Sequence, residues 1–382
     1  MGKSCRLLPP HREGPPAASE SLRHLAGSKA VLQELKGSLL LGGGVGALLW
    51  LALGALGLVE VGLRAANLGL GNSPIESDPY LHHVHPKNCT FVQQHPSGEL
   101  GGFTISYDEA RRVVRSLSES SASTGLPCRI AFMGDSFTEA GQVPYDDGFV
   151  AILAKRAEGH CEVRNYGVRS YSPAIYLVQW TRDVSAWQPT HVFVLLFGND
   201  VADDLGYLQT ADLDANGLPT AIHGPTGGWL TAQLRKLYIA RYIRATEQKW
   251  EWSRAHAGQP VWTVGGQAEE NPDWADPSAR LVRELHRRVT ATGAQFTLMT
   301  VPSRYRLMGD GSVPVGALDF HQKIEQWASQ EHIPFLPIEP AFAAAPKTPA
   351  LYFLQDIHFT EAGHHVAAEA ITQARPELFP AR

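Results

Sequence analysis

Twenty-two consecutive residues, Ser38 to Val59, carry no charge, and LLLGGGVGALLWLALGALGLV lies within them. A helix rises about 1.5 Å per residue, so such a run reaches across a hydrocarbon core of roughly 30 Å. A core helix of this length in a soluble protein would show a polar stripe, and none is present. The glycines at 42, 43, 44 and 46 weaken a helix in water. In lipid they are tolerated, because an unsatisfied backbone group costs more there than glycine entropy. Gly42 and Gly46 also stand at small-xxx-small spacing. The run is therefore read as one transmembrane helix over residues 38–60, with the lipid bilayer as its partner. It is too long, and too far from the first residue, for the apolar region of a signal peptide.

The flanks orient it. Lys3, Arg6, Arg12, Arg23, Lys29 and Lys36 precede the run, whereas Arg64 is the single basic residue between it and Lys87. The positive-inside rule places residues 1–37 in the cytoplasm and the bulk of the chain outside. The expectation is a single-pass inner (plasma) membrane protein with an extracytoplasmic, periplasmic catalytic part. Residues 1–64 hold seven basic and four acidic groups, net +3, so the remainder of a chain with net charge -5 carries -8. An acidic outer part excludes nucleic acid as a natural partner. Of four cysteines, Cys5 falls in the cytoplasmic arm and Cys89, Cys128 and Cys161 fall outside. Cys128 and Cys161 each open a strand-like run, six residues before Gly134 and Gly167. Adjacent parallel strands would bring them to one sheet edge, either as a disulfide or as two buried thiols.

Residues 61–125 read as an irregular linker or approach segment, with Pro74, Pro79 and Pro86. His82, His83 and His85 lack a spaced partner and read as solvated or packing histidines rather than a metal site. From residue 126 onward short apolar runs alternate with helical stretches. The runs are Ile130–Met133, Val163–Tyr166, Val192–Phe197, Phe296–Val301 and Phe335–Ile338. The helices fall near 148–157, 174–187, 279–291, 319–330 and 361–373. This pattern predicts an α/β domain over 126–382, with a parallel sheet covered on both faces. An insertion over about 201–277 breaks it. The insertion holds an amphipathic helix, Trp229–Trp252, with Leu230, Leu234, Leu237 and Ile243 on one side. That helix either packs on the core or forms a lid or membrane-facing element.

Three blocks with chemical side chains fall at predicted strand ends. Gly134-Asp135-Ser136 places a hydroxyl at a strand-to-helix junction, and Asp135 supports the turn. Gly198-Asn199-Asp200 aims an amide that can donate to a developing oxyanion, with Asp200 read as a loop-stabilising acid. Asp356-Ile357-His358 pairs a base with a carboxylate able to orient its ring, ahead of a helix start. His364 reads as a packing residue.

In their order these blocks, with Asn165-Tyr166-Gly167-Val168-Arg169-Ser170 between the first two, resemble the SGNH or GDSL hydrolases over about 250 residues. The resemblance implies a flavodoxin-like three-layer α/β/α sandwich and a serine esterase without cofactor or metal. Ser136 would be the nucleophile and first oxyanion donor, His358 the base, Asp356 its partner and Asn199 the side-chain donor. Gly134, Asp135, Gly167 and Gly198 would support them. Two departures stand out. Ser170 occupies the position where the family usually places a donating glycine, and its N–H can serve provided the backbone does not require φ > 0. The Asp-x-His spacing, with Gln355 where many members carry the acid, resembles the branch of extracytoplasmic polysaccharide O-acetyltransferases and membrane-anchored relatives. The expected substrate is an acyl, notably acetyl, ester on an envelope glycan or lipid. The alternatives are an O-acetyltransferase of an extracytoplasmic polysaccharide and a non-catalytic glycan-binding or assembly module.

Overall fold

The computed structural model describes residues 29–66, 74–95, 98–118, 125–225, 234, 237–256, 273–304, 307, 319–346 and 348–380. Residues 1–28 of the N-terminal arm lie outside these, as do Trp229 and Leu230. Helix α1 runs from Lys29 to Ala65. Within it Gly46–Ala65 has a mean hydropathy of 1.9 and none of it is buried, so by length and composition it can cross a membrane.

Residues 74–118 are not irregular. Strands β1 (Glu76–Asp78) and β2 (His82–Val84) form an antiparallel pair. Strands β3 (Cys89–Gln94), β4 (Gly101–Tyr107) and β5 (Val113–Val114) form an antiparallel sheet in that order. Alternate residues of this sheet, Cys89, Phe91, Ile105 and Tyr107, make a small core of their own. One-sided burial explains why the segment reads as loop: only every second residue must be apolar, and Thr, Gln, Ser and Gly fill the rest.

The central sheet follows. Its strands are β6 (Cys128–Met133), β7 (Cys161–Asn165), β8 (His191–Leu196) and β11 (Gln295–Thr300). All pair in parallel, in the spatial order β11-β8-β6-β7. The fifth expected strand is reduced to a bridge between Phe335 and Leu298. Pro334 and Pro337 flank that bridge, and neither has an N–H to give a ladder. Counted along the chain, the order is 2-1-3-4 with the bridge fifth, the flavodoxin-like arrangement, whose switch point lies between the first and third strands. Here that point is the gap between β6 and β8.

Both faces are covered. On β8, Val192, Val194 and Leu196 join one core cluster, whereas Phe193, Leu195 and, just past the strand, Phe197 join the other. The first cluster is closed by α4 (Pro173–Gln179) and later helices; the second by α3 (Phe149–Ala157) and the C-terminal helix. A four-residue helix, α2 (Ser136–Glu139), leads from β6 towards α3.

The stretch after β8 holds α5 (Asp200–Tyr207), the antiparallel hairpin β9 (Ala211–Leu213) and β10 (Pro219–Ile222), and α6 (Tyr238–His256). α6 does not follow the core-packing alternative: Tyr242, Ile243 and Trp250 are exposed, as are Leu234 and Leu237 just before it. Its first two N–H groups, of Tyr238 and Ile239, donate to the Glu60 carboxylate at 3.0 and 2.9 Å, so it starts against the far end of α1. The chain then continues through α7 (Ser278–Thr290), β11, α8 (Phe320–Gln330), α9 (Glu339–Ala344) and α10 (Glu361–Ala374). Cys128 and Cys161, register partners at the start of β6 and β7, are joined as a disulfide.

Candidate active site

The carboxyl ends of β6, β7 and β8 gather the chemical side chains. After β6 the chain passes Gly134, where an added Cβ would stand 2.1 Å from Thr138 Oγ1, so only glycine fits. Asp135 caps α2: its Oδ1 accepts the Phe137 N–H at 2.9 Å. Burial pushes the Asp135 carboxyl up to about 7, against the pull of that N–H and of His358. Ser136, the first residue of α2, is half-buried.

The Ser136 hydroxyl lies 2.6 Å from His358 Nε2. On the other side of the ring, His358 Nδ1 meets Asp356 Oδ1 in a short contact, and the same oxygen accepts the His358 backbone N–H at 2.8 Å. The i, i+2 spacing therefore folds the acid back onto the base by a local turn. Burial alone would raise the Asp356 carboxyl. The charge and two hydrogen bonds of His358, with a smaller pull from His95, instead hold it down to about 2. Arg304, buried beneath the loop, donates to the carbonyls of Asp356 and Phe353 at 3.2 and 3.4 Å.

Asn199 follows β8 and Gly198. Its Nδ2 donates to Asp203 at 2.9 Å, and its buried Oδ1 has no hydrogen bond. One amide N–H is thus tied back within α5 and the other remains for a ligand. Asp200 accepts the Phe197 N–H at 3.3 Å, and burial first, then neighbouring Asp135, pushes its carboxyl well above the ordinary range. Asp204, unremarked in the sequence, pins α5 to two other helices. It accepts from Ser172 at 2.6 Å, from the Ala174 N–H at 2.8 Å and from Ser278 at 2.5 Å.

Between β7 and α4, an added Cβ at Gly167 would stand 2.4 Å from the Glu139 backbone nitrogen, which gives that glycine its reason. Ser170 is exposed and left-handed, with φ +58°, and its carbonyl accepts the Tyr207 hydroxyl at 2.6 Å. The condition that a serine here avoid positive φ is not met. The chain holds a non-glycine residue in a conformation costing about 1–2 kcal/mol.

Glu139, the last residue of α2, is a centre that sequence reasoning missed. Its carboxylate accepts the Tyr107 hydroxyl at 2.7 Å and the Arg169 N–H at 2.8 Å, with His85 Nε2 at 3.5 Å. Burial opposes its charge, yet His85, Arg169 and Tyr107 together hold its carboxyl at about 2. The histidine cluster has a packing role. His85 stacks on Tyr107, and His83 Nε2 lies 2.8 Å from the Arg169 carbonyl, with burial lowering its pKa to about 4. His364 packs between Phe149 and Phe359.

Among curated proteins, no sequence relative matches. Three solved structures are similar to the chain at low identity. The acetylxylan esterase Axe2 from Geobacillus stearothermophilus is 16% identical, with 68% of this chain and 98% of that one covered, at a TM-score of 0.38. An α/β hydrolase from the metagenome of Lake Arreo, Spain, is 16% identical over 66% of this chain and 97% of that one, at 0.38. TesA is 15% identical over 65% and 99%, at 0.39. The sequence itself decides the family: residues 132–366, over half the chain, match one family, from β6 to the middle of α10. The chain belongs to the GDSL-like lipase/acylhydrolase family and is a serine hydrolase.

Proposed function

We propose that this chain is a membrane-anchored esterase that removes acyl groups, acetyl foremost, from a glycan or lipid of the cell envelope. The observation that carries the reading is the 2.6 Å contact between Ser136 Oγ and His358 Nε2, completed on the far side of the ring by Asp356. His358 takes the Ser136 proton as Oγ attacks the ester carbonyl, and the Ser136 N–H and the second Asn199 amide N–H donate to the oxyanion. His358 then protonates the departing alcohol, leaving an acyl-Ser136. Water, deprotonated by the same imidazole, releases the acid; a glycan hydroxyl in its place makes the enzyme an O-acetyltransferase.

The apolar helix over 38–60 serves as anchor, residues 1–37 stay in the cytoplasm, and the domain from 126 onward works outside. The +3 to -8 division of charge supports that orientation, and so does the Cys128–Cys161 bridge, since disulfides persist in oxidising compartments.

The test uses the full chain in detergent with p-nitrophenyl acetate, with and without a glycan acceptor, beside Ser136→Ala. Release should fall to background in the variant. Equal release by both proteins sinks the assignment, and acyl transfer outrunning release to water selects the transferase. A reporter enzyme fused after Arg382 should be active outside the cytoplasm; activity inside reverses the orientation.

A further inference from the structure

The segment preceding the family-matched region reaches the catalytic loop. In the β3–β4 connection, the Glu99 carboxylate accepts the backbone N–H groups of both Leu354 and Gln355, the two residues before Asp356. Four residues earlier, His95 Nε2 lies 3.4 Å from Asp356 Oδ2, the oxygen that His358 does not use. Both side chains of that pair are largely shielded from solvent, at 13% and 11% exposure. The same segment grips the other two site loops, through Tyr107 on Glu139 of the nucleophile helix and through His83 on the Arg169 carbonyl, next to Ser170.

We propose that His95 is a positioning residue for the reaction: it engages Asp356 Oδ2, fixing the carboxylate that orients His358, while Glu99 holds the loop that delivers them. This rests on the Ser136–His358–Asp356 reading above. A carboxylate gripped on one oxygen can swing about its χ2, and a terminal sp²–sp³ torsion is soft. A second contact on Oδ2 removes that freedom. The ring N–H also draws charge from Asp356, so less of it falls on the His358 imidazole. Among the described residues, the charged or titratable groups around Asp356 are His358, His95, Glu99 acting on His95, and Arg304 on the Asp356 carbonyl. His95 itself is pushed towards its neutral form by burial, against Asp356 and Glu99, which suits a ring that donates one N–H.

The experiment compares His95→Ala, His95→Gln and Ser136→Ala with the parent chain in detergent, on p-nitrophenyl acetate. A loosened catalytic geometry costs about 10- to 100-fold. That loss is expected in kcat for His95→Ala, with KM little changed, and the acidic limb of its kcat/KM profile should move to higher pH. His95→Gln, which keeps a donor, should recover much of kcat and return the limb towards its original place. A fall in plateau with no shift of the limb and no rescue by Gln overturns the positioning role, as does wild-type kcat in His95→Ala. If Ser136→Ala retains activity, the underlying reading fails and the proposal with it. If Ser136→Ala is inert and His95→Ala is normal, the proposal alone fails.

Discussion

The Tyr107 hydroxyl donates to Glu139 Oε1 at 2.7 Å, both side chains being buried, and so ties the N-terminal antiparallel sheet to the helix that begins with Ser136. Removing one donor from a buried carboxylate costs about 1–3 kcal/mol. Tyr107→Phe should lower unfolding stability by that amount, read as a lower urea midpoint at unchanged slope. An unchanged midpoint would mean that the sheet and the nucleophile helix are not mechanically joined.

The same carboxylate sets part of the pH response. Glu139 and Asp356 are both held near 2, below their ordinary range of about 4. Depressed acids contribute stability above the unfolded-state value, and that stability disappears as pH falls from about 4.5 towards 2. Asp135 and Asp204 act in the opposite sense. Burial raises both to about 7, so the folded chain keeps protons that the unfolded chain has lost, and stability declines as pH rises from about 4 to 7. Urea unfolding across this range should show a maximum on the acid side of neutrality. Glu139→Gln should flatten the limb below pH 4.5 and leave the other limb in place; an unaltered acid limb contradicts the assignment.

Ser170 at φ +58° pays the left-handed cost that a glycine would avoid. Ser170→Gly exchanges that strain for about 0.5–1 kcal/mol of glycine entropy. The net gain should be up to about 1.5 kcal/mol, seen as a rise in melting temperature with the backbone N–H still present. A drop in melting temperature would show that the serine hydroxyl contributes more than its backbone costs.

Which features were readable follows from how each is buried. β8, HVFVLL, is covered on both faces and therefore unbroken in its apolarity, and the sequence pattern places it to within a residue. The amide, the serine and the Asp-x-His pair were readable because each sits within a few residues of a strand end or helix start. β3 and β4 were not, because one solvated face dilutes them with polar residues. The run Phe335–Ile338 looked like a strand, but Pro334 and Pro337 deny it a ladder. Glu99 and His95 were out of reach for another reason. Glu99 meets the loop at a separation of 255 residues, and no local pattern encodes such a contact.

Cys128 and Cys161 close a loop with a sequence separation of 33 residues. Loop-closure entropy for that length gives about 3–4 kcal/mol of stabilisation. Replacing both cysteines by alanine should reduce the unfolding free energy by roughly this amount while kcat changes little, because the bridge sits at the amino ends of β6 and β7, opposite the site. Loss of activity at temperatures well below the variant's melting point would show that the bridge also shapes the active loops.

Asn199 offers the sharpest test of the oxyanion arrangement. Its Nδ2 is already held by Asp203 at 2.9 Å, which fixes the amide plane and leaves one N–H to point away from α5. Loss of one oxyanion donor costs about 10²–10³ in rate, because the bond strengthens only as charge develops. Asn199→Ala should therefore lower kcat by that factor with KM nearly unchanged. Asp203→Ala should produce a smaller loss, on the order of tenfold, since the donor survives but its plane is free to turn. Equal losses in the two variants would mean that the tether, not the donor, is what the reaction needs. Wild-type kcat in Asn199→Ala would remove this amide from the mechanism and leave the backbone N–H of Ser136 to hold the oxyanion without it.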